Sequence, residues 1–349
     1  MNFLIIFLLG FVLAFALTPL AGFVGRRLGL ADAPGGRRQH GGLVPRTGGL
    51  ALYLAFTLAA LAAQWLPVPR FDPNEIIRLI GLLAGGAFIF LSGFADDRWN
   101  LNPRWQYIIH AAASGIAIVF LIFVEYFYSP LNDDKIMFPL WFTVAFTMFW
   151  IMGMVNTVNW LDGLNGLAAG VTAIACGVLF INAAFRLNPP QTSVSLLPLA
   201  LLGVCMGFLP WNLAARVFMG SSGAWFLGYT LGCLAIIGGA KVAAILLVMA
   251  VPIIDVAWLI FRRARRGVSV GAGGRDHLHF RLLDAGIPQW KIVAGYYAFC
   301  AVFGTLTLVV SSRLYKLIAL IMLGVLVLAV LWQAERLASR QADTRQRTR

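Results

Sequence analysis

Apolar stretches of about twenty residues recur from one end of this 349-residue chain to the other. Twenty residues of helix span about 30 Å, the hydrocarbon thickness of a bilayer. A water-soluble fold has no place for so much apolar surface. The pattern therefore predicts an all-α, polytopic integral membrane protein. Eleven spans account for it, near 2–24, 47–65, 77–94, 105–124, 137–155, 164–184, 194–210, 223–238, 241–261, 292–311 and 315–335. Only a short link at Gly238, Gly239 and Ala240 divides the eighth from the ninth. Charged residues make up 12% of the chain, against about one quarter in a soluble domain. The stretch Asn2 to Val24 has no charge before it and no small-residue cleavage site leading into a soluble domain, so it reads as a retained span. One transmembrane unit over 1–335 and a disordered cytoplasmic tail over 336–349 are expected.

An odd number of spans puts the termini on opposite sides. With the N-terminus outside, 20 of the 27 Lys and Arg residues fall in inside segments. That asymmetry sets the orientation. It also explains the net charge of +13, which in a soluble protein would point to nucleic acid; no nucleic-acid partner is expected. The four cysteines lie inside apolar runs without CxxC spacing and read as inert thiols. Asp32, Asp96, Asp97, Asp162, Asp276, Asp284, His40, His277 and His279 all become cytoplasmic. A transporter would place paired ionisable groups near the midplane of its spans. Here only Asp255 lies well inside one, in its cytoplasmic half. The chemistry is expected at the cytoplasmic membrane surface.

Five stretches on that face carry groups suited to anions and hard cations. Asn156 to Leu167, NTVNWLDGLNGL, sets Asn156, Asn159, Asn165 and Asp162 between two spans. Caps and turns use the same residue types, but so does a ligand site. Asp96 and Asp97 end the third span, where the helix dipole disfavours carboxylates. Arg98 and Arg104 could offset them, or a divalent cation bound to phosphate could. Gly271 to Leu283 holds Arg275, His277 and His279; the histidines, at i and i+2, do not share a helix face and so do not suggest a zinc pair. Imidazoles beside arginines in a glycine-rich loop suit a polyphosphate. Asp32 to Gly49 adds Arg37, Arg38, His40 and Arg46, and Asn212 precedes Gly220-Ser221-Ser222-Gly223, a helix start able to receive an anion.

These pieces, in this order, resemble the polyprenyl-phosphate N-acetylhexosamine-1-phosphate transferases. The resemblance runs from about Ala31 to Ile287. It comprises the DAPxxRRxH loop, the Asp96–Asp97 pair, NxxNxxDGxxGL over Asn156–Leu167, Asn212 with FMG at Phe218–Gly220, PxxDxxW at Pro252–Trp258 and HLH at His277–His279. The absence of the longer histidine cluster of the peptidoglycan branch makes the chain similar to the GlcNAc-1-phosphate branch. The resemblance implies a bacterial inner-membrane enzyme that takes a UDP-sugar donor and undecaprenyl phosphate as acceptor, the first step of cell-envelope polysaccharide synthesis. It implies Mg²⁺, with Mn²⁺ as an alternative, on Asp97, Asp162 and Ser221. Asp96, Asp97 and Asp162 would be catalytic, and Asn156, Asn159, Asn165, Asn212, Arg275, His277 and His279 would bind substrate. The oligomeric state is open, a homodimer included.

The chain departs from the family's pattern. Ser221 stands where the family has an aspartate metal ligand, Phe280 where it has a further histidine, Gly274 where it has an aspartate, and Asn165 where some members have one. Mg²⁺ needs only one or two carboxylates with substrate phosphates, so these losses leave the reaction open. A catalytically silent assembly subunit and a lipid or sugar transporter remain the alternatives.

Overall fold

The computed structural model describes residues 1–32, 42–132, 134–187, 191–238, 241–265, 267, 276–310 and 312–347. The chain runs α1 (Asn2–Arg27), a two-residue pair of strands β1 (Ala31–Asp32) and β2 (Val44–Pro45), α2 (Gly48–Ala62), α3 (Glu75–Trp99) and α4 (Pro103–Val119). A second hairpin, β3 (Tyr126–Tyr128) and β4 (Lys135–Met137), leads to α5 (Leu140–Leu161), α6 (Leu167–Ile181), α7 (Thr192–Leu213) and α8 (Gly220–Ile237). Then follow α9 (Val242–Val248), α10 (Ala250–Arg265), the short α11 (Leu278–Asp284), α12 (Gln289–Val309) and α13 (Arg313–Arg347). Both hairpins are antiparallel, with Ala31 opposite Pro45 and Tyr126 opposite Met137.

Each of the eleven expected spans corresponds to helix, with two refinements. Among the described residues nine helices are long and apolar enough to cross a membrane. α4, at 17 residues, reaches only about 26 Å at 1.5 Å per residue. The ninth span is not one rod: α9 and α10 meet at an angle of 82°. Pro252 explains the break, since it has no N–H to give the carbonyl of Val248, four residues back. α13 continues to Arg347, so residues 336–347, expected as a disordered tail, are helical here. That stretch has neither Gly nor Pro and is rich in Ala, Arg and Gln, which are good helix formers. Large apolar side chains stand exposed along α1 and α13, as lipid-facing surfaces require.

The centre of the bundle is α8. All of its residues except Ser221 are buried, so it is a helix hydrophobic all round, enclosed by neighbours. α3, α5 and α2 pack along it. A helix enclosed to its first residue has backbone N–H groups that water cannot satisfy. Met219, the residue before it, has helical geometry and offers no side-chain cap. The acceptor must come from elsewhere in the chain, and that requirement shapes the site.

Candidate active site

The acceptor is Asp97. Its Oδ1 accepts from the Ser221 N–H at 2.7 Å and its Oδ2 from the Ser222 N–H at 3.0 Å. A carboxylate from the C-terminal end of α3 thus caps α8, 124 residues later. The positive end of the α8 dipole offsets a charge that the α3 dipole disfavours. Arg46 completes the arrangement, with Nη2 3.9 Å from Asp97 Oδ1 and Nη1 3.3 Å from Asp32 Oδ1. Arg98 and Arg104, which the sequence offered as one way to offset the pair, are both exposed. The segment before α8 is sewn to the β2–α2 junction: Phe218 N–H donates to Pro45 O, and Gly48 and Gly49 N–H donate to Phe218 and Met219 carbonyls. This is how Arg46 comes to lie beside a carboxylate 51 positions on. Gly220 makes the turn at φ +73°, and a side chain there would strike the Arg46 carbonyl and come within 2.6 Å of Asp97 Oδ2.

Asp96 faces elsewhere. Neighbours on a helix are about 100° apart, so the two carboxylates do not act as a pair. Asp96 Oδ1 accepts from Leu101 N–H at 2.9 Å and from Gln106 Nε2 at 3.0 Å, closing the α3–α4 turn. Asp96 thus holds the α3–α4 turn, while Asp97 reaches the start of α8.

The Asn156–Leu167 stretch forms the end of α5, a turn and the start of α6 at the same end of the bundle. Asp162 caps α5 and is half-buried. Asn156 Nδ2 donates to Met152 O, one turn back on its own helix, at 2.8 Å. Asn159 and Asn165 are half-buried. Three residues from outside pin the turn: Asn212 Oδ1 accepts from Gly166 N–H at 2.7 Å, Tyr297 Oη donates to Gly166 O at 2.6 Å, and Gln289 Nε2 reaches Asn165 O at 3.5 Å. Asn212, expected to touch substrate, is 2% exposed and also donates through Nδ2 to Val217 O. Its amide is spent on joining the α6 turn to the α7–α8 turn. Asn212→Ala should cost about 2–4 kcal/mol by stranding two buried backbone groups. A fall in melting temperature together with a raised donor KM is expected; an unchanged melting temperature would remove Asn212 from this role.

His277 and His279 close over the same turn. His277 caps α11 in an extended conformation (φ −68°, ψ 151°), so the helix rule for i and i+2 does not apply across it. The two imidazoles lie parallel, 6° apart with centroids at 5.6 Å. Trp160 of α5 lies against His277 at 5.5 Å, and Phe280 against His279 at 4.4 Å. Gly163 lets them approach: a side chain there would meet His279 Nε2 and, at 2.7 Å, Phe280 Cζ. His277 Nδ1 is 2.9 Å from Asp255 Oδ2. Asp276 bonds to Arg263 at 3.2 Å and Arg262 at 3.4 Å. Partial burial acts to raise its pKa, but the Arg263 hydrogen bond and the charges of Arg262, Arg263 and Arg281 outweigh that and hold it below the ordinary value. Arg275 and Gly274, with Arg37, Arg38 and His40, lie outside the described residues.

The family pattern of glycosyl transferase family 4 matches residues 79–239, which includes Asp97, the Asn156–Leu167 stretch, Asn212 and the start of α8. Over these residues the chain is similar to glycosyl transferase family 4. The chain is 26% identical over 314 residues to a probable undecaprenyl-phosphate N-acetylglucosaminyl 1-phosphate transferase of Bacillus subtilis, covering 88% of this chain and 84% of that one. It is 29% identical over 332 residues to the decaprenyl-phosphate N-acetylglucosaminephosphotransferase of Mycobacterium tuberculosis, covering 87% and 81%. It is 26% identical over 282 residues to the undecaprenyl-phosphate alpha-N-acetylglucosaminyl 1-phosphate transferase of Escherichia coli K12, covering 76% and 72%.

The donor set for a divalent cation is sparse. Among the described residues no three His, Cys, Asp or Glu side chains gather closely enough to hold one. Ser221 turns its backbone N–H toward Asp97. Each Asp97 oxygen accepts one such N–H and keeps a lone pair. The oxygens of Asp97, Asp162 and Ser221 are hard donors. Hard donors are the kind that Mg²⁺ takes, and among the described residues they make no protein-only cage.

Proposed function

We propose that the chain transfers an N-acetylhexosamine 1-phosphate, GlcNAc 1-phosphate in the first instance, from a UDP-sugar to undecaprenyl phosphate. The site would face the cytoplasm at a bacterial inner membrane and start an envelope polysaccharide. The observation that supports this most is the meeting of three motifs at one end of the bundle: the capped Asp97, the Asn156–Leu167 turn and the His277–His279 segment. The positive-inside count supports the orientation.

In this reading an oxygen of the lipid phosphate attacks the donor's β-phosphorus in line. The bond from that phosphorus to the α-phosphate oxygen breaks, and its electron pair leaves with UMP. The residues supply position and electrostatics. Asp97, fixed by two backbone N–H groups and Arg46, would supply one carboxylate oxygen to the cation. Asp162 would share that cation with Asp97, and the ion, when bound, neutralises charge that builds on the transferring group. Asn159 and Asn165 offer amides to the nucleotide sugar. His277 and His279 would hold phosphate oxygens, and Arg275, which lies outside the described residues, is expected to serve the same phosphates.

The second reading, a silent assembly subunit, is favoured by the carboxylate missing at Ser221. One assay separates the two. Membranes containing the protein, given labelled UDP-GlcNAc, undecaprenyl phosphate and Mg²⁺, should place label in the lipid extract, and EDTA should remove the signal. No lipid label with any of several UDP-N-acetylhexosamines would favour the silent subunit.

A further inference from the structure

Asp255 has no part in the reading above. It is 5% exposed on α10, inside the bundle. A carboxylate in such surroundings is costly unless its charge and lone pairs are met. Its two oxygens serve consecutive residues: Oδ2 meets His277 Nδ1 at 2.9 Å, and Oδ1 accepts the Leu278 N–H at 3.0 Å. Arg262 and Arg263, two turns further along α10, engage Asp276 instead. Among the described residues, His277 is the side chain that answers the Asp255 charge.

The same contacts define His277. A carboxylate accepts hydrogen bonds and does not donate them, so the proton on this edge of the ring resides on Nδ1. The ring is also held by Trp160 and by the parallel ring of His279. The opposite nitrogen, Nε2, is then in a fixed orientation, on the end of the bundle that carries Asp162 and Gly163. Bearing a proton, Nε2 donates a charge-assisted bond to a phosphate oxygen. The carboxylate behind the ring balances that charge.

We propose that Asp255 is a positioning residue, which locks His277 as the Nδ1–H form and presents Nε2 to the phosphates of the nucleotide donor. The proposal rests on the transfer reading above. Asp255→Asn tests it sharply because the shape hardly changes. The amide oxygen can still accept from Leu278 N–H, so α11 keeps its cap. The amide NH₂ then faces Nδ1 and takes its lone pair, so the ring can carry a proton only on Nε2, and the doubly protonated, charged form that the carboxylate balanced is lost.

The experiment compares wild type, Asp255→Asn, His277→Ala and the double variant for turnover with UDP-GlcNAc, for UMP affinity by calorimetry and for melting temperature. Asp255→Asn should lower kcat/KM by about 10²-fold, the scale of losing the partner that orients a working histidine. Its melting temperature should stay near that of wild type. In the His277→Ala background the same change should cost less than about threefold, since a residue acting through another is not additive with it. An equal loss in both backgrounds, or a near-wild-type Asp255→Asn, overturns the proposal while leaving the transfer reading intact. If wild type transfers no sugar but UMP affinity shows the same coupling, the transfer reading falls and the positioning role stands. Absence of coupling in both measurements overturns it.

Discussion

Asp97→Asn is expected to lower transfer by about three orders of magnitude, the scale of losing several kcal/mol of electrostatic stabilisation at the reacting phosphate. The substitution changes one oxygen into an NH₂ group of the same size. That group cannot accept from Ser221 or Ser222, so one buried N–H at the start of α8 loses its partner. It also removes the charge that Arg46 and the α8 dipole surround. The unmet N–H should cost about 1–3 kcal/mol of stability, a modest drop in melting temperature beside the loss in rate. Turnover of the purified variant, measured with its melting curve, separates the two effects. More than a tenth of wild-type turnover would remove Asp97 from the chemistry and leave it only as a cap.

Gly220→Ala should unfold the site from the other direction. A left-handed conformation costs a non-glycine residue about 1–2 kcal/mol. The added methyl also meets the Arg46 carbonyl and approaches Asp97 Oδ2 to 2.6 Å. Overpacking of that kind adds about 1–3 kcal/mol. Neither neighbour can retreat easily, because the Arg46 segment is held to Phe218 and Met219 by backbone hydrogen bonds. The expected result is a lower melting temperature with loss of activity and monodispersity in detergent. A variant that keeps wild-type stability and turnover would show that the β2–α2 junction yields and that the cap geometry is not required.

Several parts of the site were legible because they depend on local chemistry. Apolar length predicted the helices, and the segregation of Asp, Asn and His between them predicted which loops would meet. Other parts depended on direction. Asp96 and Asp97 read as a pair, yet adjacent helical residues diverge by about 100°, and only Asp97 reaches α8. The histidines at i and i+2 were not expected to share a helix face, but His277 lies just before its helix, where the helical rule has no force, and the two rings lie parallel. Arg46 was visible as one more cation in a basic loop, and no local pattern could pair it with a carboxylate 51 residues away.

The sequence alone determined the class of molecule: a bundle of membrane-length helices with its polar chemistry gathered at one end, since apolar length and charge asymmetry act residue by residue. Tertiary structure decided which of those polar groups face one another. The reason lies in α8. A helix buried from its first residue must take its cap from outside its own sequence, and the identity of that cap, Asp97, is a property of how α3 and α8 pack. The same holds for Asp255, whose task appears only once α10 and α11 are brought together.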